Sequence, residues 1–419
     1  MQPSPEGGRG PFWPRLWVAA RIPLIVLVLA GLLAASWLAY RLARADALYR
    51  AGTPASVARA VQEDPGNARY QKRLATLDPA RAGEALSKAV ALNPYDAASR
   101  MELGLRDEAV GDFSAAEKHL LDAARVDKTY APRWTLTNFY FRRNNREQFW
   151  VWARQAAEIA YHNQAALFDL CWRSSDNAEE IARRVLPDNP HIVAQYLDYL
   201  LGRGRLDAAG TVAVRLIVFG RSQDVPVLLN YCDRMIQTGR AADAVRSWNG
   251  LASRGLIPRH PVHPERGQPV SNVSFSPDFL PRGFGWRIKP AEGVSVAGDA
   301  LPFPLRISLS GSQPGQCRLV EQYVAVTANR RYRLRFPYRT SGIAQGSGLH
   351  WEIRAVSGGP PLAVSADLSG EEAAETTLVL PETPQATILR LALVYEQAPG
   401  TARAVGNLWL GPVGAEFAQ

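Results

Sequence analysis

The sequence of 419 residues is poor in cysteine, with three residues in all, Cys171, Cys232 and Cys317. Because they are odd in number and far apart, neither a disulfide framework nor a CxxC metal or redox motif is available. We expect free, buried thiols, since cysteine packs as a small apolar residue.

Lysine is also scarce, contributing only five of the 48 basic residues. The formal net charge is +9, yet no run of lysine and arginine is longer than two residues. A nucleic-acid footprint requires clustered basic side chains. We therefore expect no nucleic-acid partner.

Motifs for catalysis and cofactor binding are missing as well. The sequence contains no GxxxxGK[ST] phosphate loop, no HExxH and no GxSxG. His260 and His263 have no further cluster of ligand-type residues beside them, so we expect no metal site, no cofactor and no enzyme activity. A carbohydrate-active enzyme stays open as a remote alternative, because two carboxylates that converge in space suffice for glycoside hydrolysis. The candidate carboxylates are Asp278, Asp299, Glu321, Glu352 and Asp367.

One long uncharged apolar run, residues 22–40, stands out near the N-terminus. As a helix with a rise of about 1.5 Å per residue, it nearly matches a hydrocarbon core of about 30 Å. A cleavable signal peptide is the alternative, because Ala43-Arg44-Ala45 resembles a small-x-small cleavage site. The length of the run favours an uncleaved transmembrane helix preceded by a tail, residues 1–21.

Residues 46–255 are rich in alanine, leucine and arginine with helical spacing, and they contain an internal repeat. Units of 34 residues start at Ala97 and Ala131, and weaker units start near Pro190 and Val225. Small and large residues recur at fixed positions in these units, as Leu103, Gly104, Ala116, Leu120 and Ala123 do in the first and Trp134, Phe141, Trp150 and Ala157 in the second.

This pattern resembles the tetratricopeptide repeat (TPR), in which paired helices stack into a superhelix. The resemblance implies a concave face that docks a protein partner. Polar residues on and after the first helix of the second unit are the candidates for that face, namely Asn138, Arg142, Arg143 and Asn144. A spacer that holds the C-terminal domain away from the membrane is the alternative.

Helical periodicity stops near Gly255, and residues 256–270 contain four prolines, a composition that favours an extended linker. Residues 271–419 then show nine short alternating runs separated by turn residues, beginning with NVSFS at residues 272–276, which predicts a β-sandwich. In the run Arg331–Tyr338, Tyr332, Leu334 and Phe336 are expected on one face and arginines on the other, as in a half-exposed strand.

The order of these runs resembles a jelly-roll of the galactose-binding or carbohydrate-binding-module type. The resemblance rests on Phe284-Gly285-Trp286, on the strands around residues 322–326 and 332–336, and on a closing strand at residues 406–410. It implies a polysaccharide ligand held by ring stacking, with another protein as the second possible ligand of the sandwich and core packing of the same rings as the alternative. The candidate rings are Trp286, Tyr338, Trp351 and Tyr395.

Together these features predict a transmembrane helix, an all-α TPR superhelix and an all-β jelly-roll sandwich in one chain. We interpret the protein as a non-catalytic scaffold in the inner membrane of a bacterium, with a cytoplasmic N-terminus and its bulk in the periplasm. A role beside exopolysaccharide synthesis or export is expected by analogy with the combination of parts.

Overall fold

The structure, a computed structural model, describes residues 13–159, 163–276 and 279–418, and of residues 13–22 it describes the backbone alone. Residues 1–12 of the expected tail, and Asp278, lie outside the described residues. The chain forms two compact units, Met1–Ile159 and Ala160–Gln419. The predicted fold class is confirmed, since a long apolar helix is followed by a helical repeat region and then by two antiparallel sheets.

The described residues of the first unit form eight α-helices. They are α1 (Trp13–Ala51), α2 (Pro54–Glu63), α3 (Ala68–Leu77), α4 (Ala82–Leu92), α5 (Ala97–Val110), α6 (Phe113–Val126), α7 (Tyr130–Arg142) and α8 (Arg146–Ile159).

Helix α1 is 39 residues long and runs without a break from the apolar segment into the repeat region. The sequence predicts a transmembrane helix at residues 22–40 and a separate repeat region that starts at residue 46. In the structure the two are continuous, and Ala45 is fully buried in a small core with Ala60 and Tyr70. The chain turns only at Gly52, whose φ of +72° suits glycine. Arg41 and Arg44 approach the Glu63 carboxylate within 4.0 and 3.5 Å.

Close packing between α5 and α6 explains the small residues of the repeat. A Cβ on Gly104 would lie 2.9 Å from Leu120 Cγ and 3.1 Å from the carbonyl oxygen of Ala116. Ala116, Leu120 and Ala123 are each fully buried. The repeat positions assigned from sequence are therefore those at which the two helices meet.

The described residues of the second unit begin with six further α-helices. They are α9 (Ala165–Ser174), α10 (Ala178–Val185), α11 (Pro190–Gly202), α12 (Leu206–Phe219), α13 (Val225–Gln237) and α14 (Ala241–Ser253). Helices α9 and α10 are a short pair, because the stretch between the stronger repeats has too few residues for a full unit.

Eleven strands follow in the described part of this unit. They are β1 (Arg287–Ile288), β2 (Val294–Gly298), β3 (Leu305–Ser310), β4 (Gln316–Val326), β5 (Tyr332–Ser341), β6 (Leu349–Ala355), β7 (Ala363–Val364), β8 (Ala374–Leu380), β9 (Thr387–Glu396), β10 (Val405–Leu410) and β11 (Gly414–Phe417).

The strands form two antiparallel sheets. One has the order β1-β4-β9-β6-β7, and the other has the order β11-β5-β10-β3-β2. Strands β10 and β11 pair with successive parts of β5, and β8 pairs with the opposite edge of β5. Alternation along β5 buries Tyr332, Leu334 and Phe336, as predicted, and exposes Arg333 and Arg335. The run at residues 272–276, expected as a strand, is a turn instead, because Asn272 and Phe275 have positive φ angles.

The proline-rich segment 256–270 is packed rather than extended through solvent. Ile257 and Val262 are buried, and Asn249 of α14 exchanges two hydrogen bonds of 2.8 Å with the backbone of Val262. Proline restrains the backbone, and here the restrained segment fits against α14. It carries the chain directly from the last helix to the sandwich.

A carboxylate of α13 binds the loop that leads into β1. Asp233 accepts hydrogen bonds from the backbone N–H of Gly283 at 2.7 Å and from the guanidinium of Arg287 at 3.2 Å, and it pairs with Arg282. The ring of Trp248 lies where a Cβ on Gly283 would stand, so glycine is needed at that position. The last helix pair and the sandwich are thus joined by specific contacts.

Candidate functional site

The four rings proposed as sugar contacts lie in the core of the sandwich. Trp286, Trp351 and Tyr395 are at most 1% exposed, and Tyr338 is 6% exposed. Trp351 stacks on Phe336 with ring centroids 4.3 Å apart. None of the four presents a face to solvent, so ring stacking on a sugar at these positions is excluded and the core alternative holds.

A different tryptophan points outward from the six-stranded sheet. Trp409 alternates with the core residues Leu408 and Leu410 on β10, and it is half-buried. Its Nε1 donates to the Asp299 carboxylate at 2.9 Å, and the Arg339 guanidinium lies 4.5 Å from its ring centroid. Trp409 is not among the candidate sugar contacts predicted from the sequence.

Polar side chains form the next row across the same sheet face. Asn407 stands opposite Ser308 on one side and Ser341 on the other, and the Ser308 hydroxyl donates to Asn407 Oδ1 at 2.5 Å. The face therefore combines one aromatic ring with hydroxyl, amide and guanidinium groups, the mixture that sugar hydroxyls and C–H faces contact.

The four candidate carboxylates of a glycosidase that the structure describes are engaged with cations or structural donors. Glu321 pairs with Lys289 and Arg318, at 2.8 Å each, and Glu352 pairs with Arg354 at 2.7 Å. Both are nearly buried on the five-stranded sheet, where Ala392 stands opposite each of them on β9. Asp367 lies 3.3 Å from the backbone nitrogen of Gly348.

The predicted docking residues, on α7 and in the turn after it, contact their own helix or the preceding repeat. Asn138 donates to the Trp134 carbonyl at 2.8 Å, and Arg142 binds both carboxylate oxygens of Glu108 at 2.7 and 2.8 Å. The Arg143 guanidinium lies 3.5 Å from the Phe113 ring centroid. Asn144, with a φ of +53°, forms the turn after α7. Arg142, Arg143 and Asn144 are exposed and Asn138 is half-buried, and their role in docking stays a prediction.

Helices α9 and α11, the first helices of successive repeats, border a groove of about 530 Å³ in the second unit. Its lining is mostly polar and comprises Asn163, Ala165, Gln195, Asp198, Tyr199, Gly202 and Arg203.

Two features of the groove are suited to an extended peptide. Gln195 Oε1 is buried and has no hydrogen-bond partner among the described residues, so an incoming N–H would satisfy it. Asp198 is exposed beside it. Sequence alone did not point to these residues, because the short α9–α10 pair has no clear repeat register.

Tyr199 fixes one wall of this groove. Its hydroxyl donates to Asp169 Oδ1 at 2.8 Å, and Arg203 donates to Asp169 Oδ2 at 2.7 Å. Burial, followed by the hydrogen bond and charge of Asp169, raises the pKa of Tyr199 to about 12. The tyrosine therefore stays neutral at physiological pH and acts as a donor held in one orientation.

The three cysteines are free thiols, as expected, but Cys317 is half-buried rather than buried. Cys171 and Cys232 are buried, and burial raises the pKa of each thiol well above its ordinary value. His263 contacts Glu265 at 3.0 Å. Over the same residues, no group of three or more His, Cys, Asp or Glu side chains is arranged to hold a metal ion.

No protein-family model matches the chain, and no curated protein matches it. Among solved structures, a CBM4 is similar with 13% identity and a TM-score of 0.24, over 32% of this chain and 88% of its own. A tetratricopeptide repeat protein from Parabacteroides merdae is similar with 14% identity and a TM-score of 0.23, over 43% and 76%. YrrB, described as a TPR protein with an unusual peptide-binding site, has 13% identity and a TM-score of 0.24, over 47% and 91%. These likenesses are too distant to assign a ligand or a partner.

Proposed function

We propose that the chain is a membrane-anchored docking protein whose repeat helices α9 and α11 hold an extended segment of a partner protein. The observation that carries this proposal is the polar groove on those helices, with the buried, unpartnered Gln195 Oε1 beside the exposed Asp198. A peptide backbone offers the N–H donor that this oxygen lacks. A spacer would have no need of such a groove.

Membrane anchoring is supported by α1. Its segment Pro23–Ala51 includes an 18-residue window with a mean hydropathy of 2.1 and no residue buried within the chain, a composition that suits lipid but also a signal sequence. Cleavage after Ala45 would remove a fully buried residue together with both arginines that approach Glu63. The contacts of α1 therefore favour an anchor that is retained.

The topology is tested by reporters and by mass. With the N-terminus in the cytoplasm and the bulk in the periplasm of a bacterium, alkaline phosphatase fused after Gln419 is active, and the purified protein has the mass of the uncleaved chain. Fluorescence of a cytoplasmic reporter at that position, or a mass that begins after Ala45, would contradict this part of the proposal.

Docking is tested by photo-crosslinking in native membranes. Benzoylphenylalanine in place of Asp198 should give a discrete adduct, whereas the same residue in place of Val218, which is 69% exposed on α12, should give none. Arg203→Glu should weaken the adduct at position 198 because it replaces the hydrogen bond from Arg203 to Asp169 by repulsion and so disturbs the groove wall that Tyr199 forms. Equal labelling at both positions, or none at either, would favour the spacer.

A second function, contact with a polysaccharide, is favoured by Trp409. Its outward ring and the neighbouring row of Ser308, Asn407 and Ser341 give the sandwich a mixed aromatic and polar face. With an anchor and a docking groove in the same chain, this face suits a scaffold beside exopolysaccharide synthesis or export. Retardation of the full chain in gels containing the envelope polysaccharide, lost in Trp409→Ala, is the expected result.

A further inference from the structure

A cavity of about 420 Å³ lies between the segment that follows α14 and the end of the chain at β11. Its size falls within the range of about 300–1,000 Å³ that is usual for small-molecule sites. Prolines and valines form its apolar walls. Arg259 and His260 line it together with the amide and hydroxyl side chains of Gln268, Ser271, Asn272, Ser274 and Ser276. It shares no residue with the groove on α9 and α11.

Ser271 is the residue that indicates a ligand. It is only 2% exposed, and its Oγ has no hydrogen-bond partner within the described residues. Its carbonyl oxygen accepts a hydrogen bond of 2.7 Å from Gln322 Nε2, so the backbone that carries the hydroxyl is held in place. A buried polar group without a partner costs free energy, which a bound ligand with a hydroxyl group would recover.

The neighbouring groups define the chemistry of that ligand. Asn272 binds the backbone of Ser276 at both N–H and C=O, and the hydroxyls of Ser274 and Ser276 lie 3.3 Å apart. Gln268 is exposed and adds an amide. Hydroxyls and amides both donate and accept, as the vicinal hydroxyls of a polyol do, and apolar walls suit the C–H face of a ring.

We propose that this cavity, the Ser271 pocket, binds a small polyol of the size of one hexose unit. Ser271 Oγ contacts a ligand hydroxyl, and the amides and hydroxyls around it contact the others. The pocket does not depend on the peptide groove or on Trp409, so it stands even when either of those functions fails.

The test uses the full chain in a detergent without a sugar headgroup, with glucose, galactose, mannose and myo-inositol as probes. Saturation-transfer NMR and calorimetry should detect at least one of them, with a Kd on the order of 1 mM. Ser271→Ala should weaken binding roughly tenfold through loss of a hydrogen bond. Its thermal midpoint in the absence of sugar should be unchanged or higher, because the unpartnered hydroxyl is gone.

Gln268→Ala and Ser357→Ala complete the design. Gln268→Ala should weaken binding without a change in thermal midpoint, since the side chain is exposed, whereas Ser357→Ala, at an exposed serine outside the pocket, should change neither. The proposal is overturned when no probe binds the folded protein. It is equally overturned when Ser271→Ala lowers the thermal midpoint and leaves binding unchanged.

Discussion

Replacing Trp351 separates a structural ring from a ligand platform. The side chain is fully buried, stacks on Phe336 and lies 5.9 Å from Trp286 between ring centroids. Emptying such a site costs about 3–5 kcal/mol of unfolding free energy. Trp351 Nε1 has no hydrogen-bond partner among the described residues, and the burial of that N–H costs about 1–3 kcal/mol in the folded parent chain. Because Trp351→Ala removes this cost together with the ring, we expect a loss of unfolding free energy near the lower limit of the range.

A loss of about 3–5 kcal/mol corresponds to a drop of about 6–20 °C in the midpoint of the transition that contains the sandwich. Calorimetry of the full chain in detergent is the assay, because the two compact units can unfold in separate transitions. Trp351→Phe, which keeps a ring and removes the unpartnered N–H, should lose less than half as much.

Trp409→Ala is the matched control, because it removes an outward tryptophan ring instead of a core one. Its ring is half-buried and outward, so its removal should cost about 1 kcal/mol, mainly the contact with Arg339. An unchanged midpoint in Trp351→Ala, combined with lost retardation by polysaccharide, would refute the assignment of Trp351 to the core.

Three further changes test the repeat packing, the groove and the junction. Ala116→Trp should lower the helical unfolding midpoint by overpacking of about 1–3 kcal/mol or more, whereas Val110→Trp, at a position 81% exposed, should not. Tyrosinate at position 199 should form at about pH 12, as measured by the difference between the ultraviolet titrations of the parent chain and Tyr199→Phe. The pKa of Tyr199 in the folded chain lies above the unfolded value of about 10. The stability that Tyr199 contributes is therefore complete below about pH 10 and falls between about pH 10 and 12. Asp233→Ala should destabilise the second unit by about 1–3 kcal/mol, since it leaves the Gly283 N–H and two partly exposed arginines without their carboxylate, and an unchanged calorimetric trace would refute the junction contacts.

Helical features could be predicted from sequence because their signals are local. Gly104, Ala116 and Leu120 recur at repeat positions, and these are the residues that meet between α5 and α6. The partners of Arg142 could not be predicted in the same way, since Glu108 lies in the preceding repeat, one full unit earlier. A polar residue on a helix therefore indicates a surface but does not tell whether a neighbouring repeat already occupies it.

The alternation of residues along the strands predicts, for some rings of the sandwich, whether they point into the core or outward. Leu349, Trp351 and Ile353 alternate on one face of β6, which indicates a core ring, and Leu408 and Leu410 by the same argument put Trp409 outside. The turn at Asn272 and Phe275 could not be predicted from the sequence, because NVSFS alternates as a strand does. The positive φ angles of these two residues come from tertiary packing. The Ser271 pocket depends on that turn, so sequence alone did not reveal it.

The connections of the repeat helices bear on the choice between docking and spacing. Residues 41–51 continue α1 for about 16 Å beyond the apolar run at about 1.5 Å per residue, and Ala45 and Glu63 fix this extension to α2. In the second unit, Asp233 and Trp248 fix the last helix pair to the loop before β1. A spacer needs only length, which a flexible linker supplies at less cost in ordered residues. Packed connections instead hold the helices or strands of each unit in one arrangement within that unit, which is the pre-organisation that favours the docking proposal over the spacer.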